Sequence, residues 1–498
     1  MSRAGQGRPV RGEGIYNVVV IGAGTAGLVT AAGTAGLGGR VALVERGKMG
    51  GDCLNYGCVP SKALIRSARV AARIRHADRY GLHPRDPEVD YARVVRRMRE
   101  VRARIEPHDS AERFESLGVD VFAGEARLVS PHAVRVGERV LRTRHIVLAT
   151  GGRAAIPSVQ GLAGARFFTN ETFFENEVLP RRLAVLGAGP IGCELSQVMA
   201  RFGSRVTLID RGKQVLHRED PEAAALLQEA LREEGVNLRL GAQVKSVESG
   251  PEGSARLTVA GGEGEERVEA DAILVAAGRR PNVEDLGLEE VGVAFDARGI
   301  RVDPWLRTSR PNIFAAGDVA GSHQFTHFAE HQARVVVRNL LLPRLFGALH
   351  ARADRFVLPW CTFTEPEVAR AGLNEREARE KGIRYDLHRF DFKSLDRAIL
   401  DGADTGLVKV LTAPGKDRIL GATLVGEGSG EMIHEFAVAM RHGLGLAALS
   451  GTIHVYPTLS QAVQRVADAY QKTRLTARAR RIFSWLYARQ RRSSRVSP

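Results

Sequence analysis

The sequence predicts an α/β protein that contains two Rossmann-like parallel sheets. A short apolar run at residues 18–21 passes directly into a glycine-rich turn, and the same arrangement recurs at residues 183–186. Apolar runs of this length that precede a glycine turn and a helical segment are typical of buried parallel strands. The chain has 498 residues, 44% of them hydrophobic, which is long enough for three or four domains.

The first glycine turn has the spacing of a dinucleotide-binding motif. Gly22, Gly24 and Gly27 form GxGxxG and open an Ala/Gly-rich helical segment. Such glycines allow a tight turn, the approach of the backbone to a pyrophosphate, and close packing of the helix on the strand. Glu45 ends the next predicted strand, where a carboxylate accepts a hydrogen bond from a ribose hydroxyl. A dinucleotide site is therefore predicted here.

The same motif recurs in the middle of the chain. Gly187, Gly189 and Gly192 follow the apolar run at 183–186, and a strand at 205–209 ends in Asp210. The sequence therefore predicts a second dinucleotide site. Asp210 favours NADH because its carboxylate would bond the ribose 2′-hydroxyl and repel a 2′-phosphate. Arg211 leaves NADPH open, since an arginine could pair with that phosphate.

Two cysteines five residues apart follow the first turn. Cys53 and Cys58 stand at the predicted start of a helix, where the helix N-terminus favours thiolate over thiol. A second cysteine within reach lets an attacking thiolate expel a mixed-disulfide partner, so we expect a redox switch. A structural disulfide or a zinc site is the alternative. CxxxxC without a second Cys or His pair at ligand spacing is a poor metal site, and no metal is predicted.

A redox dithiol beside two dinucleotide sites implies that electrons pass from nicotinamide through flavin to sulfur. From about residue 16 to 472 the chain resembles the class I pyridine nucleotide-disulfide oxidoreductases, the family of dihydrolipoamide dehydrogenase, glutathione reductase and mercuric reductase. Besides the cysteines and the glycine turns, four motifs carry this resemblance: LATG at 148–151, AAGRRPN at 276–282, IFAAGDV at 313–319 and Pro457-Thr458.

The resemblance implies FAD and NAD(P)H as cofactors and assigns residues to each. The implied FAD residues are Gly22, Gly24, Gly27, Glu45, Gly51, Lys62, Thr150, Gly151 and Asp318, the last on the ribityl chain. The implied nicotinamide nucleotide residues are Gly187, Gly189, Gly192, Glu194, Asp210, Val244 and Gly278, with the Val244 backbone near the adenine.

The resemblance also assigns roles around the dithiol. Cys53 is expected to be the interchange thiol that meets the substrate, and Cys58 the thiolate that contacts flavin. Lys62 is expected near flavin N5, where it would stabilise developing negative charge, and Glu194 would hold the lysine in place.

The implied domain order places the FAD domain at both ends of the nicotinamide domain. Residues 1–14 are Gly/Arg-rich and are predicted to be disordered. The FAD domain is expected at 15–155, with a helix after Cys58 and a β-meander over 119–147, and its return segment at 284–355. The NAD(P) domain is expected at 156–283, a C-terminal α+β dimerisation domain at 356–471, and a basic amphipathic tail at 472–498. The family is homodimeric and delivers its terminal loop to the partner's dithiol.

The terminal loop departs from the disulfide-reductase pattern. Those enzymes carry His-Pro-Thr with a glutamate four residues after the proline, and the His-Glu pair moves protons to the departing thiolate. Tyr456 and Gln461 stand at these two positions here. A phenol is a poor base at neutral pH and glutamine cannot stabilise an imidazolium. His454, two residues upstream, is a candidate substitute base.

Tyrosine at this position is similar to mercuric reductase, whose metal substrate needs no proton on a leaving thiol. The sequence therefore favours a small-molecule or metal-thiolate acceptor and a mercuric reductase-like enzyme. Against this, no cysteine follows Cys361 to resemble the C-terminal cysteine pair of that enzyme. A dihydrolipoyl dehydrogenase or other disulfide reductase is the alternative. A flavin-bearing redox sensor recruited by its basic tail is the non-enzyme alternative.

The positive charge of the chain is concentrated at its C-terminal end. The net charge is +15, but residues 472–498 contain nine cations and no acid, and without them it falls to +6. Apolar residues of this segment recur at helical spacing, which predicts an amphipathic helix that either docks on the parent protein, the commoner arrangement, or contacts an anionic membrane. Nucleic acid is not expected because no recognition module accompanies the charge.

No apolar run is long enough to span a membrane and no signal-peptide core is present, so the prediction is that the protein is cytoplasmic.

Overall fold

The structure is a computed structural model that describes residues 14–262, 264–321, 323–342 and 349–493. It divides into two compact units, one containing the chain up to residue 211 together with 235–356, the other containing 212–234 together with the chain from 357. Disorder is predicted for residues 1–14. All of these residues except Gly14 lie outside the described part of the chain. Among the described residues, we find no helix whose length and hydropathy would let it cross a bilayer.

The first unit contains most of the strands. In chain order they are β1 (Tyr16–Ile21), β2 (Val41–Glu45), β3 (Val119–Ala123), β4 (Ala126–Ser130), β5 (Ala133–Val136), β6 (Arg139–Leu148), β7 (Gly152–Ala154), β8 (Phe167–Phe168), β9 (Arg182–Leu186), β10 (Arg205–Asp210), β11 (Asn237–Leu240), β12 (Gln243–Ser249), β13 (Ala255–Gly261), β14 (Gly264–Ala270), β15 (Ala272–Val275), β16 (Arg279–Pro281), β17 (Phe295–Asp296), β18 (Gly299–Ile300) and β19 (Ile313–Ala315).

The helices of the first unit are α1 (Thr25–Gly36), α2 (Gly51–Asn55), α3 (Cys58–Arg75), α4 (Tyr91–Ile105), α5 (Ala111–Ser116), α6 (Asn170–Phe173), α7 (Pro190–Arg201) and α9 (Thr326–Leu341). The helix expected after Cys58 is confirmed, and it begins at that cysteine. The longer α9 packs beside α1, and both helices cover one face of the first sheet through a shared apolar core.

The first sheet has the order β3-β2-β1-β6-β5-β4, with β19 also paired to β6. Strands β3, β2, β1, β6 and β19 are parallel, and β4, β5 and the first half of β6 form an antiparallel meander. The predicted meander over 119–147 is therefore right for β4 to β6 and wrong for β3. That strand follows α5 and buries Val119 and Phe122, so it completes the parallel sheet beside β2 instead.

The second sheet has the order β11-β10-β9-β15-β8 and is parallel throughout. A three-stranded antiparallel sheet, β12-β13-β14, packs against it through an apolar core. Strands β1 and β9 have neighbours on both sides in their respective sheets, and each ends directly before a glycine turn. A ligand site at the carboxyl end of such a strand is the rule for open parallel sheets.

The second unit is built on one antiparallel sheet. Its strands are β20 (Pro359–Thr362), β21 (Glu367–Gly372), β22 (Asp386–Asp391), β23 (Leu407–Thr412) and β24 (Ile419–Gly426), in the order β20-β21-β24-β23-β22. Its helices are α8 (Pro221–Glu233), α10 (Glu375–Glu380), α11 (Asp396–Leu400), α12 (Ser429–Arg441), α13 (Leu446–Ser450), α14 (Gln461–Arg474) and α15 (Ala477–Ser493). The Gly-Ala-Thr-Leu-Val-Gly run at 421–426 lies in β24, and Glu431 lies in the first turn of α12.

Residues 212–234 are joined to the second unit by buried charges, although the sequence places them within the nicotinamide domain. Lys409 on β23 is 5% exposed and its Nζ lies 3.5 Å from Asp220 Oδ2 and 3.2 Å from Glu222 Oε2. Arg370 on β21 is 2% exposed and its Nε lies 3.3 Å from Glu219 Oε2. Buried charges persist only when they are paired, so these contacts fix the start of α8 on the sheet.

The C-terminal helix α15 is exposed rather than docked. Its apolar side chains Ile482, Phe483 and Leu486 are 50%, 49% and 42% exposed. The amphipathic helix predicted from the spacing is present, but among the described residues its apolar face is not packed on the parent chain, which is the commoner arrangement.

Candidate active site

The two glycine turns have the same geometry. Gly22 has a φ of +102° and Gly187 a φ of +109°, a region that side-chain-bearing residues rarely adopt. A Cβ on Gly22 would lie 2.4 Å from the carbonyl oxygen of Ala149, and a Cβ on Gly187 would lie 2.4 Å from that of Ala276. Each turn therefore requires glycine for its backbone conformation and for the close approach of the neighbouring strand's end.

Each turn is also held by the acid at the end of the next strand. Glu45 Oε2 accepts from Ala23 N at 2.6 Å, and Asp210 Oδ2 accepts from Ala188 N at 2.7 Å. Within the described chain, α1 and α7 carry no acid in their first turns, and no described atom lies within 4 Å of a Cβ built on Gly189. Helix N-termini that are free of acids fit the pyrophosphates of FAD and NAD(P)H.

The 148–151 motif is tied to the 276–282 motif. Thr150 Oγ1 donates to the Asn282 carbonyl oxygen at 2.7 Å, and Asn282 Nδ2 donates to the Thr150 carbonyl oxygen at 2.9 Å. Gly151 accepts from Asn282 N at 3.0 Å. Gly51, at the start of α2, approaches the first glycine turn so closely that its Cβ would lie 2.6 Å from Gly24 Cα. Gly51 and the 148–151 motif therefore both lie against the first glycine turn.

Arg279 joins two carboxylates at this site. Its Nη2 lies 3.3 Å from Asp318 Oδ2 and 3.3 Å from Asp52 Oδ2. Burial raises the pKa of Asp318, and Arg279 opposes that rise. The buried Arg279 Nε has no hydrogen-bond partner among the described residues, so a polar group of FAD fits beside it. Arg279 belongs to the 276–282 motif, which by itself indicates no role for this arginine. Only the place of Arg279 in that motif could have indicated that it belongs to the site.

The two cysteines of the dithiol have pKa values that are shifted in opposite directions. Both are free thiols, Cys53 on α2 and Cys58 as the first residue of α3. The hydrogen bond between them raises the pKa of Cys53, which burial raises further. The same bond is the largest cause that lowers the pKa of Cys58 to about 6, and it prevails over burial with help from Thr326 and Lys62. These directions favour the thiolate at Cys58 and the thiol at Cys53.

Thr326 is a site residue that the sequence analysis missed. It is the first residue of α9, and its Oγ1 lies 3.4 Å from Cys58 Sγ. A hydroxyl at this distance stabilises a thiolate by donating to it. Thr326 is 268 positions from Cys58, and no spacing in the sequence connects the two residues.

Lys62 and Glu194 form the ion pair that the resemblance implies. Lys62 lies one turn after Cys58 on α3, and its Nζ is 2.9 Å from Glu194 Oε2 on α7. Glu194 is 5% exposed, so the lysine neutralises a buried carboxylate. The charge of Lys62 lowers the pKa of Cys58 and that of Glu194 raises it.

Two further residues of the predicted nucleotide site lie in the first unit. Gly278 has a φ of +128°, and its carbonyl oxygen accepts from Ala155 N at 2.9 Å. Val244 is a buried residue of β12. Their contacts with the nicotinamide nucleotide remain predictions.

The terminal loop belongs to the second unit. Tyr456 is 65% exposed, and its hydroxyl donates to Asp396 Oδ2 at 3.0 Å. This bond and the charge of Asp396 raise the pKa of Tyr456, so the phenol keeps its proton at neutral pH. Gln461 is buried as the first residue of α14.

His454 is engaged by its own chain through both ring nitrogens. Nε2 lies 3.0 Å from Glu435 Oε2, and Nδ1 lies 3.0 Å from the Thr452 carbonyl oxygen. The side chain is only 5% exposed. These contacts orient the ring within the second unit and leave neither nitrogen directed to solvent.

Comparison with protein-family models identifies two matching regions. Residues 16–333 match the model described as pyridine nucleotide-disulphide oxidoreductase. Residues 358–467 match the model described as the dimerisation domain of pyridine nucleotide-disulphide oxidoreductase.

Curated relatives match over nearly the whole chain. A dihydrolipoyl dehydrogenase of Chlamydia muridarum is 35% identical over 90% of this chain and 95% of the relative. A mercuric reductase of Bacillus cereus is 31% identical over 92% of this chain and 72% of the relative.

Solved structures match as well. The HOCl-induced flavoprotein disulfide reductase RclA from Escherichia coli has a TM-score of 0.81 at 29% identity, over 91% of this chain and 99% of that one. The Cu(II) complex of RclA has a TM-score of 0.80 at 29% identity, over 92% of this chain and 99% of that one.

Proposed function

Because the chain belongs to the pyridine nucleotide-disulphide oxidoreductase family, we propose that it reduces a soft metal ion carried by thiolates at the expense of NADH, with Cys53 and Cys58 as the electron donor. The coarser activity is shared by the family: the protein is a flavoprotein disulfide oxidoreductase that uses FAD and a nicotinamide nucleotide, and its dimerisation domain supports a homodimer. When bound, FAD supplies the conversion of a nicotinamide hydride into electrons for sulfur.

The chain's own residues suit both cofactors. The N-terminal turns of α1 and α7 offer backbone N–H groups to pyrophosphates, and Asp318 with Arg279 provides a buried polar pair beside the first turn. Lys62 places a positive charge one turn beyond the thiolate of Cys58, held by Glu194. A fixed cation at this place would stabilise negative charge both on the Cys58 sulfur and on the flavin.

The dithiol releases the number of electrons that a metal acceptor needs, and such an acceptor needs no proton. Oxidation of the reduced pair, one thiol and one thiolate, to a disulfide releases two electrons and one proton, and the electrons reduce one Hg(II) to Hg(0) or two Cu(II) to Cu(I). The acceptor takes up no proton in either case. Thiolates are also the ligands that soft metal ions prefer, so the metal can move from a small carrier thiol to Cys53.

A disulfide acceptor needs more than the terminal loop offers. Reducing a disulfide to two thiols consumes two electrons and two protons, and the departing thiolate needs an acid. The observation that carries our proposal is the hydrogen bond that the Tyr456 hydroxyl donates to Asp396 Oδ2 at 3.0 Å, because this bond raises the pKa of the phenol and makes it a poor acid toward a departing thiolate. His454 is held by Glu435 and Thr452.

Two groups of relatives support a metal acceptor. Mercuric reductase is the name of several relatives at 30–32% identity, and one solved structure of RclA is a Cu(II) complex. Dihydrolipoyl dehydrogenases at 33–35% identity favour the second candidate, reduction of a small disulfide.

The acceptor is tested with the FAD-loaded full-length enzyme, NADH and Hg(II) in excess cysteine. We expect one Hg(0) per NADH, with turnover at least about tenfold faster than with lipoamide or glutathione disulfide. Cys53→Ser should lose the metal-dependent oxidation, while the control Cys361→Ser, which removes a thiol remote in sequence, should keep it. Faster turnover with either disulfide would favour the second candidate.

A further inference from the structure

The C-terminal helix α15 has an apolar face that extends as far as Tyr487, after which Gln490 falls on the same side. At 100° per residue, its larger apolar side chains fall within an arc of about 140°. These side chains are Ile482, Phe483, Leu486 and Tyr487, which are 50%, 49%, 42% and 63% exposed. A face of this width commonly packs on something apolar, and the described residues do not cover it.

Arginines line both edges of this apolar face. Arg478 and Arg489 fall on one edge, Arg480 and Arg491 on the other, and Arg481 opposite. Residues 472–498 contain no acid, and within the described part of the chain no carboxylate pairs with these five guanidinium groups. All five residues are exposed. Long cationic side chains beside an apolar face can extend to a polar layer while their stems stay in apolar surroundings.

Trp485 is the exception to this division. It falls among the arginines, and the guanidinium carbon of Arg489 lies 5.7 Å from the centre of its ring. An indole beside cations at the edge of an apolar face suits the boundary between water and hydrocarbon.

We propose that α15 binds the surface of an anionic lipid bilayer, with its apolar face in the acyl boundary and its arginines among the headgroups. A bilayer offers both things that this helix lacks, hydrocarbon for the apolar face and negative charge for the edges. Nucleic acid offers phosphates but no hydrocarbon for Ile482 and Leu486. A second copy of α15 would bring like charges together. The binding is independent of the acceptor that the enzyme reduces.

The test uses the FAD-loaded full-length protein and co-sedimentation with vesicles made of equal parts phosphatidylcholine and phosphatidylglycerol. Leu486→Glu puts a charge at the centre of the apolar face. Its matched control, Ser484→Glu, makes the same change of charge on the opposite face. We expect Leu486→Glu to weaken binding by about a hundredfold or more, and Ser484→Glu by about fivefold or less. Vesicles of phosphatidylcholine alone should bind weakly.

Several results would overturn the proposal. Equal weakening of vesicle binding by both variants would mean that the helix is attracted to any polyanion. Tighter binding to duplex DNA than to vesicles would mean that the partner is a nucleic acid. A change in molecular mass of Leu486→Glu without vesicles would mean that the face is a protein interface. Failure of the unaltered protein to sediment with anionic vesicles would also refute it. FAD content and NADH oxidation in solution should be the same in both variants, which shows that they are folded.

Discussion

The most informative residues of the site are those that decide where one proton sits. Cys53 and Cys58 share it, and the surroundings of Cys58 favour the charged form. The hydrogen bond with Cys53 is the largest cause, the Thr326 hydroxyl lies 3.4 Å from the Cys58 sulfur, and Lys62 adds a positive charge. An exposed thiol without such neighbours titrates near pH 8.5. The low pKa of Cys58 therefore comes from named contacts, and each contact can be removed.

Removing the Thr326 hydroxyl should raise the pKa of Cys58. In the reduced protein the Cys58 thiolate should be present above about pH 6 and lost as the pH falls through that value. Thr326→Val should move the midpoint upward by about one pH unit, because a hydrogen bond to a charged group is lost. Thr326→Ser keeps the hydroxyl and should leave the midpoint unchanged. Thiolate absorbance of the reduced enzyme against pH measures this, and a midpoint near pH 9 in the unaltered protein would contradict the assignment.

Asp210 combines two tasks at the nucleotide site. It holds the second glycine turn through Ala188 N, and we propose that its charge selects NADH. Asp210→Asn keeps an oxygen for the turn and removes the charge, so the preference should move toward NADPH by about tenfold. Glu45→Gln is the matched control in the first turn and should leave the nucleotide preference unchanged. The ratio of kcat/KM for the two nucleotides is the measurement, and an unaltered protein that prefers NADPH would be inconsistent with our proposal.

At the scale of elements, buried charges join α8 to the sheet of the second unit. Lys409 contacts three carboxylates, those of Asp220, Glu222 and Glu375, at 5% exposure. The neighbouring strand supplies Arg389, which also binds Glu222 at 2.6 Å but is 48% exposed. The two cations share a partner and differ in burial, which makes them a matched pair.

Lys409→Met should destabilise the protein far more than Arg389→Met. The first leaves buried carboxylates without their cation, which costs about 3–5 kcal/mol. The second removes a surface ion pair worth up to about 1 kcal/mol. Chemical denaturation of the FAD-loaded protein gives both values. Equal effects would mean that the cluster around Lys409 contributes little to holding α8 in place.

Local sequence patterns were sufficient for the features that depend on neighbouring residues. Both glycine turns, the acids that follow them and the helix at Cys58 could be predicted because each is a short motif with a physical reason for its spacing. The Lys62–Glu194 pair could be anticipated only through the family resemblance, since the two residues are 132 positions apart.

Features made by distant residues could not be predicted. Thr326 beside Cys58 and Arg279 between two carboxylates arise from the packing of whole elements. The parallel pairing of β3 and the buried cluster that binds α8 have the same origin, because a strand's partner and an ion's burial depend on tertiary context.

At the scale of the whole molecule, we propose a dithiol reductase whose terminal loop supplies no proton and whose acceptor needs none. The most direct measurement is the ratio of kcat/KM for lipoamide to that for Hg(II) in excess cysteine. This ratio is compared between the unaltered enzyme and the double variant that combines Tyr456→His and Gln461→Glu. The double variant restores the proton-shuttling pair.

We predict a low ratio in the unaltered enzyme and a rise of about 100-fold in the double variant, the usual contribution of general acid-base catalysis. Hg(II) reduction should stay flat or fall. Rapid lipoamide reduction by the unaltered enzyme that is lost in His454→Ala and kept in Tyr456→Phe would contradict the account, because it would make His454 the proton donor of a disulfide reductase.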